Sequence, residues 1–319
     1  MKNKNRRDFV KIVGAGAASL ALAGFTATDT KDVEQPIESG FKPNDKVTLK
    51  IKGAVKSFDI VHITDIHLSE CDSRDPELID HMVGRKKLFQ QPEETAKRLF
   101  KHINTLKADF VAVTGDLVDV PTQANLELGG DLLDSLDTDY GFSVGNHEWC
   151  NPAKPADRDH WRPRFNVWTP QPMNWFYRRI NGVNLLFLDD SNYQITENQL
   201  KRTKELLDTG RPCIMFMHIP IIEDSLLAPV IKSWGMPICL GGEPDASQYQ
   251  RRIDWGMGPE VKQTTKEFIK LVKSHPQMKA VFAGHVHFNH KDEFQNGCHQ
   301  YVSDPAYENA YRKIEIVPG

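Results

Sequence analysis

The sequence predicts an α/β sandwich of four layers, two mixed sheets packed together beneath outer helices. Three observations carry the prediction. Short apolar runs alternate with segments of helical period through the first part of the chain, which reads as strands and helices taken in turn. Toward the C-terminus strand-like runs at hairpin spacing take over. Four of the apolar runs also end in short polar clusters, the place where ligands gather in open α/β sheets.

At the N-terminus, Lys2, Lys4, Arg6, Arg7 and Lys11 surround the start of an apolar, small-residue run over residues 12–25. That is the layout of a signal peptide, expected over residues 1–27. A helix over the run covers about 21 Å, short of the roughly 30 Å hydrocarbon core, so no stable membrane span is expected. Arg6 and Arg7 followed by Phe9, Val10 and Lys11 resemble a twin-arginine signal, a receptor-read address. The resemblance implies the twin-arginine export machinery as a partner and a periplasmic or otherwise exported location. Residues 28–45 are polar, contain Pro36 and Pro43, and read as a linker, so the folded domain is expected over 46–319.

Within that domain strands are expected at 47–51, 58–63, 110–114, 140–144, 175–180, 183–188, 213–217 and 280–283, then at 291–294, 299–302 and 312–317. Helices are expected at 93–106, 124–136, 197–207 and 260–273. Asn181 and Gly182 mark a hairpin turn. Two long stretches, 151–173 and 219–259, read as loops, and loops of that length are functional or flexible.

Composition is that of an ordinary globular protein, 39% hydrophobic and 26% charged. With 40 basic and 43 acidic residues and a formal charge of -3, bulk electrostatics predict no nucleic-acid binding and no membrane-surface binding. Cys71, Cys150, Cys213, Cys239 and Cys298 lack C-x-x-C spacing, which argues against a zinc ribbon or redox motif. Cys213 and Cys239 lie in apolar runs and are expected as buried thiols, with a disulfide among the others left open.

The polar clusters are T-D-I-H at 64–67, T-G-D-L-V-D at 114–119, V-G-N-H-E at 144–148 and A-G-H-V-H at 283–287, and a fifth run ends in His218. In D-x-H and H-x-H the paired side chains are two residues apart, so an extended backbone turns both to one side. Carboxylates, imidazoles and one amide form a mixed oxygen and nitrogen set that suits iron, manganese or zinc and fits calcium poorly. Gly115, Gly145 and Gly284 each precede a candidate ligand, where a chain leaving a strand needs a sharp turn or close approach.

In this order the five clusters resemble the calcineurin-like metallophosphoesterase superfamily, over roughly residues 58–290. The resemblance implies two metal ions, Fe, Mn or Zn. Asp65, His67 and His287 would hold one, Asn146, His218 and His285 the other, and Asp116 would bridge them. It also implies hydrolysis of phosphate mono- or diesters by a metal-bridging hydroxide, with His147 protonating the leaving oxygen and Asp119 orienting His147. L-D-D-S-N at 188–192 and N-Q-L at 198–200 resemble the family's link between its two halves. Purple acid phosphatases of this superfamily carry Tyr three residues after the bridging Asp, where this chain has Asp119, so a tyrosinate-bound ferric centre is not expected.

Arg158, His160, Arg162 and Arg164 are candidate substrate contacts: arginines engage phosphate, and the neighbouring Trp161 or Trp168 can stack on a flat group. The bland alternative is an exposed loop of solvated arginines. The expected partner is a phosphoester small molecule or an envelope phosphate polymer. The competing reading is an exported metal-binding scaffold that recognises phosphorylated polymers without turnover. G-F-S-V-G at 141–145 matches the nucleophile-elbow string, but Ser143 lies inside a predicted strand and not at a strand-to-helix turn. His62, His81, His102, His275, His290 and His299 read as surface or packing residues.

Overall fold

A computed structural model describes residues 40–150, 152, 165, 168 and 172–319. The expected export signal, most of the linker, and Arg158, His160, Arg162 and Arg164 lie outside the described residues. Five strands form one sheet, in the spatial order β1 (Lys42–Ile51), β11 (Ala310–Pro318), β2 (Phe58–Ile63), β3 (Phe110–Thr114) and β4 (Tyr140–Ser143). β2, β3 and β4 run parallel, while β11 is antiparallel to β2 and parallel to β1. Six strands form the other, in the order β5 (Trp175–Ile180), β6 (Val183–Leu188), β7 (Cys213–Phe216), β8 (Met278–Ala283), β10 (His299–Val302) and β9 (His290–Glu293). Its middle four strands are parallel and its two outer strands antiparallel.

Period-two alternation makes the layers. β3 sends Phe110 and Ala112 between the sheets and Val111 and Val113 to the outer face, and β7 likewise divides Ile214 and Phe216 from Cys213 and Met215. Between the sheets Phe176, Phe187, Phe216, Phe282 and Tyr301 stack in succession, ring centroids 4.8 to 5.4 Å apart.

Among the described residues the helices traced from end to end are α1 (Ile79–Leu88), α2 (Pro92–Thr105), α3 (Gln123–Asp134), α4 (Glu197–Asp208), α5 (Asp224–Trp234), α6 (Tyr249–Asp254) and α7 (Gln263–Ser274). α2 and α3 cover the outer face of the five-stranded sheet; α2 does so through Ala96, Leu99, Phe100 and Ile103, a single helical stripe. α4, α5 and α7 cover the six-stranded sheet through Leu206, Leu207, Leu226, Val230, Phe268 and Val272. A reciprocal capping box between Thr196 and Gln199 starts α4.

Two expectations are corrected. The first strand is longer than the expected 47–51: β1 starts at Lys42 and pairs with Ala310. Pro43 and the polar neighbours read as linker because an edge strand tolerates proline and exposes most of its side chains. The stretch 219–259 is not a bare loop, since α5 and α6 fall within it, and α5 carries Pro229 inside the helix where sequence reasoning sees a break. All five cysteines are free thiols, and Cys298 is buried along with Cys213 and Cys239. Among the described residues no helix is long and apolar enough to cross a membrane.

Candidate metal centre

The five clusters leave the carboxyl ends of β2, β3, β4, β7 and β8 and meet there, three from one sheet and two from the other. The backbone does not stay extended, as the D-x-H and H-x-H spacing suggested. Asp65, His67, Asp116, His285 and His287 all have positive φ, between 50° and 71°, a conformation that costs a non-glycine residue about 1–3 kcal/mol. Cross-loop hydrogen bonds hold it: Asp65 N donates to Gly115 O at 3.1 Å, His67 N to Asp116 O at 2.8 Å and His285 N to Asp65 Oδ2 at 2.9 Å. The loops touch so closely that a Cβ on Gly145 would meet the Asp116 carboxylate, and one on Gly284 the side chains of Thr64 and Asp65.

Among the described residues three groups of potential ligand atoms result, one of them His67, Asp119 and His147; the other two contain the candidate ligands. In one, His67 Nε2 and His287 Nε2 lie 3.1 Å apart, with Asp65 Oδ1 3.3 Å from His287 Nε2 and 3.9 Å from His67 Nε2. In the other, His218 Nε2 lies 3.2 Å from His285 Nδ1, 3.2 Å from Asn146 Oδ1 and 3.1 Å from Asp116 Oδ2. Asp65 and Asp116 are at most 1% exposed. All seven candidate ligands therefore converge.

The nitrogen chemistry fits a cation at each group. His67 Nδ1 faces Asp119 Oδ1 at 3.2 Å and His218 Nδ1 faces the Thr114 carbonyl at 2.8 Å. The partner at Nδ1 accepts a hydrogen bond from each ring and leaves Nε2 aimed inward, neutral at His67 and, without a cation, protonated at His218 under the pull of Asp116 and Asp65. His287 Nδ1 and His285 Nε2 are 3.2 and 2.9 Å from the hydroxyls of Tyr307 and Tyr193, so their other nitrogens also face inward. At His67 and His287 the facing lone pairs repel unless a positive charge lies between them, which an ion with bonds of about 2.0–2.1 Å supplies; at His218 and His285 a proton fills that place until a cation displaces it.

The electrostatics agree. Burial disfavours charge on Asp65, Asp116 and Asp119, but the imidazoles, with Arg85 at Asp119, hold all three carboxyls below the usual range, Asp116 and Asp119 well below. Burial pulls His218 down, yet Asp116 and Asp65 push it up to about 10. His285 goes well below its ordinary value through burial and the charge on His218. Buried carboxylates so arranged demand positive charge from whatever shares the pocket, which metal cations supply.

His147 and Asp119 also come together. His147 Nδ1 lies 2.9 Å from the Asp119 carbonyl and 3.1 Å from Asp119 Oδ1, and His147 N donates to Asp116 Oδ1 at 2.9 Å. Burial lowers the His147 pKa, but Asp116 and Asp119 outweigh it and raise it well above its ordinary value. Asp190, in L-D-D-S-N, accepts from the backbone N–H groups of His218 and Ile219 at 3.1 and 2.9 Å and so sets the turn that delivers His218. Ser143, by contrast, is the last residue of β4, buried, and its hydroxyl has no hydrogen-bond partner among the described residues.

Sequence reasoning missed several supporting residues. Glu148 was visible in V-G-N-H-E but had no role assigned; it is buried and accepts from the backbone N–H groups of Gly145, Asp116, Leu117 and Val118. Burial and the charge on Asp116 push its carboxyl up to about 7 against those donors. Tyr193, Tyr307, Phe89 and Arg85 had no readable signal. Phe89 stacks on the His67 ring at 4.3 Å, and Arg85 pairs with Asp119.

Several solved structures are similar to the chain at low identity. A dimetal phosphatase from Danio rerio is 12% identical with a TM-score of 0.49, the match covering 79% of this chain and 88% of that one. A purple acid phosphatase from yellow lupin (Lupinus luteus) seeds is 12% identical with a TM-score of 0.48, covering 80% of this chain and 45% of that one. A 5'-nucleotidase from Candida albicans is 14% identical with a TM-score of 0.39, covering 84% and 47%. No curated protein sequence matches the chain. The family model for calcineurin-like phosphoesterase matches residues 58–289, well over half of the chain and the interval that holds all seven candidate ligands. By that match the chain belongs to the calcineurin-like phosphoesterase family.

Proposed function

We propose that the protein hydrolyses phosphate mono- or diesters at a dinuclear metal centre, outside the cytoplasmic membrane. One observation carries the reading: Asp116 Oδ2 lies 3.1 Å from His218 Nε2 and 3.7 Å from His67 Nε2, so a single carboxylate oxygen faces both ligand groups. Asp65, His67 and His287 would hold one ion, Asn146, His218 and His285 the other, with Asp116 between them. Bound there, two ions of iron, manganese or zinc lower the pKa of a water molecule toward neutrality and offset charge on the phosphoryl oxygens.

The chain's own residues handle the leaving group. Asp119 occupies His147 Nδ1 and leaves Nε2 to carry a proton toward substrate. As a water-derived oxygen bonds to phosphorus and the ester P–O bond breaks opposite it, the leaving oxygen keeps the electron pair of the broken bond and takes that proton. Arg158, His160, Arg162 and Arg164 are proposed as phosphate contacts on residue type alone. The substrate class is a phosphoester small molecule or an envelope phosphate polymer, in keeping with the N-R-R-D-F-V-K string and its implied export in a folded state.

The test is turnover of p-nitrophenyl phosphate and bis(p-nitrophenyl) phosphate by metal-analysed protein. His147→Ala is expected to keep its metals and lose about 10²–10⁴ in rate. Inactivity of the loaded wild type across manganese, zinc and iron would overturn the proposal in favour of a non-catalytic scaffold. Replacing Arg6 and Arg7 with Lys is expected to stop export; normal export would rule out the twin-arginine route.

A further inference from the structure

Arg85 lies in α1, a helix whose only buried residue is Met82, yet its guanidinium reaches the edge of the metal centre. Nε donates to Asp119 Oδ2 and Nη2 to Asp119 Oδ1, both at 2.6 Å, a bidentate fork. Oδ1 is also the oxygen that faces His67 Nδ1 at 3.2 Å and His147 Nδ1 at 3.1 Å. One atom of a carboxylate only 1% exposed thus orients a candidate ligand and the candidate acid at once. Rotation of that carboxylate about its Cβ–Cγ bond would break both contacts together. Two parallel N–H···O bonds define a plane and forbid the rotation, whereas a single point charge would permit it.

The same turn of chain touches His67 a second way. Phe89, four residues beyond Arg85, stacks on the His67 imidazole with an interplanar angle of 12°, and the Arg85 guanidinium lies 4.7 Å from the Phe89 centroid. The last turn of α1 and its C-cap residue therefore clamp His67 twice, through the Phe89 ring and through the Asp119 carboxylate that Arg85 holds. Resting on the hydrolytic reading above, we infer that Arg85 is a positioning residue, which holds Asp119 in the one rotation that aligns His67 and His147 together.

The experiment compares full-length wild type, Arg85→Ala, Arg85→Lys, Asp119→Asn and the Arg85→Ala/Asp119→Asn double variant on bis(p-nitrophenyl) phosphate, each checked for fold by circular dichroism and for metal content. Arg85→Ala at wild-type metal content is expected to lose about 10–100-fold in kcat with KM little changed, the size seen when an outer partner of a metal ligand is removed. Added guanidinium ion is expected to restore part of the loss, which it would not do for a general weakening of the fold. In the Asp119→Asn background the Arg85→Ala change is expected to have no further effect, because its influence passes through Asp119. Unaltered kcat in Arg85→Ala, or losses that multiply independently in the double variant, would overturn the inference. If Arg85→Ala does not fold, Arg85→Lys decides: it keeps the charge and loses the fork, so reduced kcat supports the assignment and wild-type kcat overturns it. An inactive wild type overturns the hydrolytic reading and this inference together; an active wild type with an unaffected Arg85 variant overturns this inference alone.

Discussion

Exchanging Glu148 for Gln would convert one acceptor oxygen into a donor at a position where four donors already point inward. Gly145 N and Asp116 N reach Oε2 at 2.6 and 3.0 Å, and Leu117 N and Val118 N reach Oε1 at 2.8 and 3.3 Å. The side chain is buried, so water cannot replace a lost acceptor. An amide flipped either way satisfies one pair of N–H groups and sets its own NH₂ against the other. At about 1–3 kcal/mol for each of the two buried donors left unmade, Glu148→Gln is expected to lower unfolding stability by about 2–6 kcal/mol. Side-chain volume hardly changes, so no cavity penalty is added. The same N–H groups belong to the turns that carry Asp116 and Asn146, so metal affinity is expected to fall about 10–100-fold. Urea unfolding of metal-free and metal-loaded protein reads the first effect, and competition with a chelator reads the second. An unfolding free energy within about 0.5 kcal/mol of wild type, with metal affinity intact, would refute the idea that this carboxylate braces both turns.

Three further outcomes follow from the same geometry. A Cβ on Gly141 would enter the Phe187 ring, so Gly141→Ala is expected to cost about 1–3 kcal/mol by overpacking, and less in a Phe187→Leu background; equal penalties in thermal unfolding would refute the clash. Removing the Tyr193 hydroxyl, 2.9 Å from His285 Nε2, leaves that nitrogen without its partner, and Tyr193→Phe is expected to weaken metal binding about 10–100-fold in chelator competition. His62 is buried between Ser303 and Thr114, and burial first, then Arg312, lowers its pKa to about 3. Above about pH 6.5 both folded and unfolded chains hold it neutral; as pH falls toward 3 the unfolded chain takes a proton the native state refuses, and stability drops by up to about 1.4 kcal/mol per pH unit. His62→Gln is expected to flatten that part of the curve between about pH 4 and 6.5 in urea midpoints, and an unchanged slope would refute it.

Most of the architecture could be read from local pattern. Strands such as Phe110–Thr114 and Cys213–Phe216 are short apolar runs with turn signals at their ends, and the ligands follow directly at those ends. Edge strand β1 was truncated in the reading because its pairing with β11, more than 250 residues away, supplies what its own composition does not. α1 was invisible because it buries only Met82 and shows no apolar stripe.

The amino-acid order alone determined which residues are candidate ligands, their grouping at strand ends and the alternation that sorts two sheets beneath helices. All of these depend on neighbours within a few residues. Tertiary structure decided the left-handed turns at Asp65, His67, Asp116, His285 and His287, the acceptor roles of Glu148 and Asp190, and the meeting of Arg85 with Asp119. Those features arise from contacts between distant loops, as where His285 N reaches Asp65 across 220 residues. A strained backbone angle or a shared carboxylate is set by the whole packed arrangement, and no short window of sequence contains the partners that enforce it.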